Sequence, residues 1–301
     1  MKSFETKGIF SWQIPNVLKG QPLAFANLLS QAGFESVYIK VADGAGAYGL
    51  TGITPELITA LREKNIAIIG WGFNYGLDWK GEAKIGAAQV NRWGLDGYIW
   101  DVESRYESTP NAVQNAFNMV AEFRQDVVKP TPLAFCSWAY WKSRLFGSEI
   151  HPIKVLQAFM QGCDYGMPMQ YWQGNTPALA VSYLKGSLAQ WRTYTDKPII
   201  PAGRAYNGDG GEVNPPSVIA YEKAVREEGC KGITWWELDQ AQPKYHADVW
   251  DALSLMPKFG TENIPHPNPL PEGEGDGDEW KAKYEAAASK LVQIKTIVEA
   301  Q

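Results

Sequence analysis

Two carboxylates, Asp101 and Glu103, stand two residues apart at the end of the apolar run 97–103. In a β-strand, residues i and i+2 project from the same face, so both acids would point to one side where the strand ends. Cleavage of a sugar acetal needs a carboxylic acid that protonates the leaving oxygen and a second group that faces the developing positive charge. The pair is a candidate for that chemistry. The structural alternative is an ion pair or a cap for the helix that follows.

Aromatic, amide and acidic side chains stand at the ends of other apolar runs. Adjacent strand residues face opposite sides, so either Trp235 or Trp236, but not both, could form the floor for a sugar ring. Glu237 and Asp239 could supply a second acid, and Tyr171 could hydrogen-bond a reacting acyl or hydroxyl group. Rings interleaved with amides and carboxylates are typical of a carbohydrate cleft. Either Gln170 or Trp172 would also face the cleft. The predicted substrate-binding residues are Trp71, Asn74, Tyr75, Trp138, Gln170, Tyr171, Trp172, Arg204, Tyr206, Trp235, Trp236 and Glu237.

The composition argues against several other function classes. The chain has 301 residues, of which 45% are hydrophobic and 20% charged, and its net charge is −5. It therefore has no basic field that would hold nucleic acid, and we expect no nucleic-acid partner. The three cysteines and three histidines show no CxxC or HExxH spacing. This predicts neither a metal centre nor a bound cofactor.

Membrane and export signals are not visible in the sequence. No apolar run approaches the roughly 18 residues of a membrane-spanning helix, so membrane insertion is not expected. The first residues do not resemble a secretory leader. The location of the protein stays open, because a cytoplasmic protein, release by lysis, transport on a phage particle and a lost leader all fit.

Short apolar runs alternate with amphipathic stretches from residue 8 to about residue 255. Strands are predicted at 8–14, 36–42, 66–73, 97–103, 132–138, 166–172, 198–204 and 232–237. Helices are predicted at 22–32, 55–64, 82–93, 110–127, 151–161, 177–194, 216–229 and 246–254. Eight βα units predict an α/β fold, a (β/α)₈ TIM barrel whose functional face lies at the carboxyl ends of the strands. A doubly wound sheet is the alternative, but the glycine-rich segment 44–49 is not followed by the helix that such a fold needs.

Four of the predicted helices begin with a capping residue followed by proline. The capping residues are Thr54, Thr109, Thr176 and Asn214. A side-chain oxygen at this position accepts a hydrogen bond from the first turn, where the missing N–H of proline costs nothing. These boundaries are therefore the best defined in the sequence.

The chain divides into three segments. Residues 1–257 form the predicted barrel, 258–278 a linker rich in proline, glycine and acidic residues, and 279–301 an amphipathic helix. Apolar residues in that helix recur at steps of four and three, at Trp280, Tyr284, Ala287, Leu291, Ile294 and Val298. Such a seam predicts a short coiled coil and hence a homo-oligomer, and the alternative is a helix that docks on the barrel.

The segment around the acid pair resembles the acidic strand of family 18 chitinase-type glycoside hydrolases. The matching pattern is Asp96-Gly97-x-x-x-Asp101-x-Glu103, with Ile99 where that family has a further acid. The resemblance implies that Glu103 is the general acid and that Asp101 positions the N-acetyl group of the substrate.

The first 105 residues also resemble family 25 muramidases, the lysozyme-type barrels of phages and bacteria. The segments 37–44 (VYIKVADG) and 100–103 (WDVE) follow that family's order. The resemblance implies that Asp101 and Glu103 are its acid pair. At the end of the first strand, where the family has an acid, this chain has Phe10, Ser11 and Trp12.

Two hypotheses follow. The first is a glycoside hydrolase of an N-acetylhexosamine polymer, with peptidoglycan as the preferred glycan and Glu103 as general acid. The second is a catalytically inactive barrel that binds carbohydrate or serves as a structural module in an oligomer.

Overall fold

A computed structural model describes residues 4–208 and 211–259, which form a closed parallel β-barrel. Its strands are β1 (Lys7–Ser11), β2 (Ser36–Asp43), β3 (Gly46–Ala47), β4 (Ala67–Asn74), β5 (Gly97–Val102), β6 (Leu133–Trp138), β7 (Tyr165–Gln170), β8 (Ala202–Arg204) and β9 (Ile233–Trp236). The two-residue β3 runs antiparallel to the end of β2. The other eight strands are parallel, and β1 pairs with both β2 and β9, which closes the sheet.

Helices surround the barrel and alternate with its strands. They are α1 (Pro22–Gln31), α2 (Pro55–Glu63), α3 (Trp79–Trp93), α4 (Ser104–Glu107), α5 (Ala112–Asp126), α6 (Ile153–Gly162), α7 (Pro177–Trp191), α8 (Pro215–Glu227), α9 (Leu238–Ala241) and α10 (Pro243–Leu255). This arrangement confirms the predicted TIM barrel. It rules out the doubly wound alternative, because an open sheet would leave β1 and β9 as unpaired edges.

The barrel strands bury side chains on both faces. Phe10 and Ile99 belong to an apolar cluster inside the barrel. Trp100 belongs to a larger cluster between the sheet and the helices, where its ring meets Phe123 edge-on at 5.2 Å. Burial on both faces explains why the strands read as continuous apolar runs in the sequence.

Three of the four predicted helix starts are confirmed. The side chains of Thr54, Thr176 and Asn214 each accept a hydrogen bond from the backbone N–H three residues later, at 3.2, 3.4 and 3.0 Å. These bonds satisfy donors that the first helical turn leaves unpaired. The helices α2, α7 and α8 accordingly begin where the capping residues predict.

The fourth predicted start, at Thr109, is wrong. The Thr109 hydroxyl donates to the carbonyl of Tyr106 at 2.7 Å and so completes the turn after α4 instead of capping the next helix. The chain then passes through Asn111, whose φ of 59° is left-handed, and α5 begins at Ala112. Asparagine tolerates this conformation better than most residues, because its short polar side chain hydrogen-bonds locally.

The last described residues pack on the barrel. The Phe259 N–H donates to Glu35 Oε2 at 3.1 Å, and the Arg226 guanidinium lies 3.9 Å from the Phe259 ring. The predicted helix at 279–301 with its oligomer contact, and nearly all of the predicted linker, lie outside the described residues. Within the described ranges, no helix is long and apolar enough to cross a membrane.

Candidate active site

The strand β5 sends alternate side chains to opposite sides of the barrel wall. Tyr98 and Trp100 pack outward against the helices, whereas Ile99 lies in the inner cluster. Asp101 continues the inward series at the carboxyl end of the strand. Glu103 follows one position beyond the strand, as the N-terminal flanking residue of α4. The local alternation of β5 thus brings both acids to the mouth of the barrel.

Asp101 is largely buried, and its Oδ1 has no hydrogen-bond partner among the described residues. Burial raises the pKa of this carboxyl well above its ordinary value, and the negative charge of Glu103 adds to the shift, while Lys40 opposes it. Burial therefore favours the neutral form of this carboxyl over the charged form. In its neutral form Asp101 can donate a hydrogen bond at the barrel mouth.

Lys40 is a buried lysine near Asp101 that was not among the predicted site residues. Lys40 Nζ lies 2.6 Å from Asp43 Oδ2. The same ammonium lies 4.6 to 5.8 Å from the ring centroids of Trp12, Tyr48, Trp71 and Phe73. The signal in the sequence is a charged residue inside the apolar run 36–42, two positions after Tyr38 and hence on the same inner face.

Glu103 lies on the wall of a cavity of about 1040 Å³ at the ends of β6 and β7. The aromatic part of the lining is Trp138, Tyr140, Tyr171 and Tyr183. Its charged part, as far as the structure describes the chain, consists of Glu103, Lys142 and Arg144, and the His151 imidazole lies beside them. The cavity thus combines one acid with flat rings and cationic groups.

Trp138 and His151 stack their rings face to face in this cavity. Their ring centroids are 4.7 Å apart and their planes differ by 14°. His151 Nδ1 lies 2.9 Å from Glu107 Oε2, which fixes the orientation of the imidazole. Trp138 is a predicted site residue, whereas His151 and Glu107 come from a loop and a short helix that carry no recognisable motif.

The floor of the barrel mouth is aromatic. Trp236 faces inward, with its ring 5.6 Å from Trp71, 5.4 Å from Phe10 and 6.4 Å from Tyr171. Tyr206 meets Tyr171 edge-on at 5.9 Å. Burial raises the pKa of Tyr171 well above its ordinary value, so its phenol keeps its proton. Of the two adjacent tryptophans in β9, Trp236 is the one that joins the site.

Gln170 and Trp172 do not line the cleft, which corrects the prediction for both. They flank Tyr171 in sequence and therefore point to the opposite side of the wall. Gln170 Nε2 donates to Ser187 Oγ at 2.9 Å, and Gln170 Oε1 accepts from the Tyr221 hydroxyl at 2.7 Å. The Trp172 ring stacks on Tyr221 at 4.8 Å. Both side chains hold α7 and α8 against the sheet.

Trp235 and Asn74 are likewise turned away from the mouth. The Trp235 ring packs 5.6 Å from Tyr221, in the core outside the barrel. Asn74 Nδ2 donates to Glu82 Oε2 at 3.1 Å. The prediction that Asn74 lines the cleft is wrong, because strand alternation places it on the helix side. Trp235 is the member of the tryptophan pair that faces away from the mouth.

Arg204 and Tyr75 hold loops at the rim. Arg204 is fully buried, and its guanidinium donates to the carbonyls of Gly211 and Gly174 at 3.0 and 2.8 Å. Tyr75 donates its hydroxyl proton to Asp43 Oδ1 at 2.8 Å. These hydrogen bonds of Arg204 go to the protein backbone, which gives it a place in the loop scaffold.

A second cavity, of about 1100 Å³, lies beside the acids that follow β9. Asp239 accepts hydrogen bonds from the N–H groups of Trp12 and Gln13, at 3.2 and 2.8 Å, and from Ser11 Oγ at 3.2 Å. Burial, reinforced by the charge of Asp239, raises the pKa of Glu237 to about 8. Because β5 and β9 are four strands apart in a ring of eight, the two acid pairs follow strands on opposite sides of the barrel.

Comparison with known proteins bears on the fold. No protein-family model matches the sequence, and no curated protein matches it. A GH18 chitinase from Pseudoalteromonas aurantia is similar in structure, with a TM-score of 0.58 at 16% identity over 83% of this chain and 100% of that chain. A mutant of class V chitinase from Nicotiana tobaccum in complex with NAG4 has a TM-score of 0.59 at 12% identity, over 83% and 97%. The Bacillus cereus spore cortex-lytic enzyme SleL has a TM-score of 0.57 at 11% identity, over 82% and 74%.

At identities this low, the structural similarity establishes a shared barrel fold and nothing further. The names of the three similar structures describe two chitinases and one cortex-lytic enzyme, and this chain has the same barrel architecture. Fold and function are separable, so the activity has to be argued from the side chains of this chain.

Proposed function

We propose that the protein is a glycoside hydrolase of an N-acetylhexosamine polymer in which Glu103 is the general acid. The observation that carries the proposal is the position of Glu103, on the wall of an aromatic cavity and two residues from the buried Asp101. The similar chitinase and cortex-lytic structures support it, because their names describe enzymes of this substrate class.

The proposed reaction assigns a different task to each polar group in the mouth. Glu103 gives its proton to the glycosidic oxygen as the bond to the anomeric carbon breaks, and water then adds its hydroxyl to that carbon and returns a proton to Glu103. Asp101 and Tyr171, whose pKa values burial raises, would hold the acetamido group of the reacting sugar by hydrogen bonds. The Trp236 and Trp71 rings would form the apolar floor beneath it.

Peptidoglycan is the polymer that we propose, of the kind that family 25 muramidases cleave. Its strands carry carboxylates, whereas chitin is neutral. Lys142 and Arg144 are exposed cations on the wall of the Glu103 cavity, where Glu103 is the one acid among the described lining residues. A cationic wall favours an anionic glycan over a neutral one of the same shape.

The direct test is the release of reducing ends from peptidoglycan and from N-acetylglucosamine oligomers by purified full-length protein. Glu103→Gln keeps the shape of the side chain but removes its proton, so the rate should fall by about 10²- to 10⁴-fold. Glu63→Gln, at an exposed position on α2, is the matched control and should retain the wild-type rate. Full activity in Glu103→Gln would contradict the assignment.

A binding module without catalysis is the second candidate. It is favoured by two positions at which the families that the sequence resembles carry acids and this chain does not. Ser11 is fully buried and bonded to Asp239, and Ile99 belongs to the apolar interior. Calorimetric titration that shows oligosaccharide binding without release of reducing ends would support this candidate. A protein that binds no glycan would contradict both.

A further inference from the structure

The short helix α4 joins two acidic residues. Glu103 flanks its first residue and Glu107 is its last, and the Glu107 N–H donates to the Glu103 carbonyl at 3.1 Å. Each residue of a helix rises about 1.5 Å, so these two residues stand about 6 Å apart along the axis. The proposed general acid therefore has a second acidic residue one helical turn away, which the proposed reaction does not use.

Glu107 holds its carboxylate away from water. Its side chain is 7% exposed, and its Oε1 has no hydrogen-bond partner among the described residues. Its Oε2 lies 2.9 Å from His151 Nδ1. The charge of a carboxylate that water does not surround is weakly screened and acts strongly on neighbouring groups. Glu107 is therefore placed to affect the ionisation of Glu103.

His151 is held against Glu107 by two further contacts. Its ring stacks on Trp138 with the centroids 4.7 Å apart, and its backbone N–H donates to the Trp141 carbonyl at 3.2 Å. Histidine is the side chain that gains or loses a charge between about pH 5 and 8. An imidazole held in this way changes its charge without leaving its place, and it lines the same cavity as Glu103.

Other charged or titratable groups surround this turn. They are Asp101 on β5, Cys136 on β6, Tyr171 on β7, Arg105 on α4, Lys142, Arg144 and Glu149 in the loop 139–152, and Lys154 on α6. The last five are exposed, so water and salt screen their charges. Arg105, Lys142 and Arg144 also lie over aromatic rings, at 5.5, 4.3 and 5.2 Å from the centroids. Among the described residues, His151 is accordingly the ionisable group in direct contact with the Glu107 carboxylate.

From this geometry we infer that Glu107 and His151 act as a charge pair that sets how tightly Glu103 holds its proton. Both are positioning residues of the general acid, and the inference rests on the proposed function. The Glu107 carboxylate favours the protonated form of Glu103, because two negative charges repel each other. The positive charge of a protonated His151 opposes that effect. A purely structural tie between α4 and the loop 139–152 would hold Glu103 in place without changing its proton affinity.

The test removes one charge of the pair at a time. Glu107→Gln keeps an oxygen that can accept a hydrogen bond from His151 but has no negative charge, so Glu103 should lose its proton at a lower pH. His151→Phe keeps a ring that can stack on Trp138 but has no positive charge, so Glu103 should lose its proton at a higher pH. Each shift should be about 0.5 to 1 pH unit, the effect of a charge about 6 Å away in a partly hydrated site. The double variant should titrate between the two single variants.

The measurement follows the Glu103 carboxyl directly. Full-length protein with ¹³C-labelled glutamate carboxyls is titrated by NMR from pH 3 to 9, and the Glu103 signal is assigned by its loss in Glu103→Gln. The alkaline limb of the pH profile for release of reducing ends should move with this titration. Glu228→Gln is the matched control, because it removes a carboxylate that lies 2.8 Å from Arg192, before β9 and away from the mouth. It should move neither the titration nor the profile.

The outcomes separate this inference from the proposed function. Identical Glu103 titrations in the wild type and Glu107→Gln would overturn the charge pair, whatever the activity. Shifts in the same direction in Glu107→Gln and His151→Phe would also overturn it, because they would indicate a rearranged turn. Opposite shifts in a wild-type protein that releases no reducing ends at any pH would support the charge pair and contradict the proposed function.

Discussion

Asp101 and Glu103 are chemically similar acids whose surroundings separate their roles. Asp101 lies inside the barrel wall, where burial raises the pKa of its carboxyl well above the ordinary value. Glu103 is half-buried at the edge of a cavity that water and a ligand can enter. In the proposed reaction, environment and not residue type would therefore assign one acid to hold a ligand and the other to exchange protons with it.

Glu237 should make the stability of the protein depend on pH. Its pKa is raised to about 8 in the fold from a usual 4.5, so the folded state holds the proton more tightly than the unfolded chain. This contribution is fully present below pH 4.5 and is lost as pH rises through 8. Glu237→Gln does not titrate and should therefore be more stable than the wild type at pH 8.5. The gain should be about 1 to 4 kcal/mol, because each tenfold change in proton affinity corresponds to about 1.4 kcal/mol.

The measurement is the free energy of unfolding in denaturant at pH 5 and pH 8.5. The Glu237→Gln protein should show a smaller loss between the two pH values than the wild type. Glu63→Gln serves as an exposed control and should lose as much as the wild type. An identical loss in Glu237→Gln and the wild type would contradict the buried state of this carboxyl.

Strand alternation predicted part of the site and could not predict the rest. It placed Asp101 on the same face of β5 as Ile99. This is the face that points into the barrel and so brings the acid to the mouth. It could not choose between Trp235 and Trp236, since both faces of β9 are buried and both accept a large ring. Lys40 was not predicted because the aromatic rings around it come from other strands and loops, which a local pattern does not contain.

The loop between β6 and α6, residues 139–152, is the element that would distinguish charged from neutral glycans. The double variant Lys142→Gln and Arg144→Gln removes two cations from the wall of the Glu103 cavity. Cleavage or binding of peptidoglycan fragments should weaken about three- to tenfold, because exposed charge pairs are each worth under about 1 kcal/mol. N-acetylglucosamine oligomers should be handled as before.

The appropriate control for this loop removes two cations elsewhere. Lys64 and Lys129 are exposed and precede β4 and β6, at the amino ends of the strands and away from the mouth. Their double change to glutamine should affect neither substrate. Equal effects of the Lys142 and Arg144 change on charged and neutral glycans would show that the loop does not read charge.

Elements were easier to predict than side-chain directions. Parallel strands buried on both faces give apolar runs, and helices α2, α7 and α8 begin at side-chain caps that the sequence displays directly. The failure at Thr109 has a local cause, since its hydroxyl is used by the preceding turn. Competition between neighbouring turns for one capping group is decided by backbone geometry, which composition does not reveal.

At the scale of the whole molecule, the number of βα units predicted the barrel, whereas the oligomeric state stays a prediction. The apolar seam from Trp280 to Val298 predicts association of full-length chains. Light scattering should give a mass of at least a dimer for the full-length protein and of a monomer for a version ending near Gly260. Equal masses per chain would exclude the coiled coil.

The pairing of β1 with β9 also has a consequence for biosynthesis. Residues Lys7 to Ile9 of β1 pair with Ile233 to Trp235 of β9. The first strand to be synthesised therefore has one unpaired edge until β9, the last strand of the barrel, leaves the ribosome. Unpaired edges invite wrong partners. Because Asp239 follows β9, the bonds that fix Trp12 and Gln13 also form late. Truncated nascent chains should therefore need chaperone protection until residue 239 has emerged.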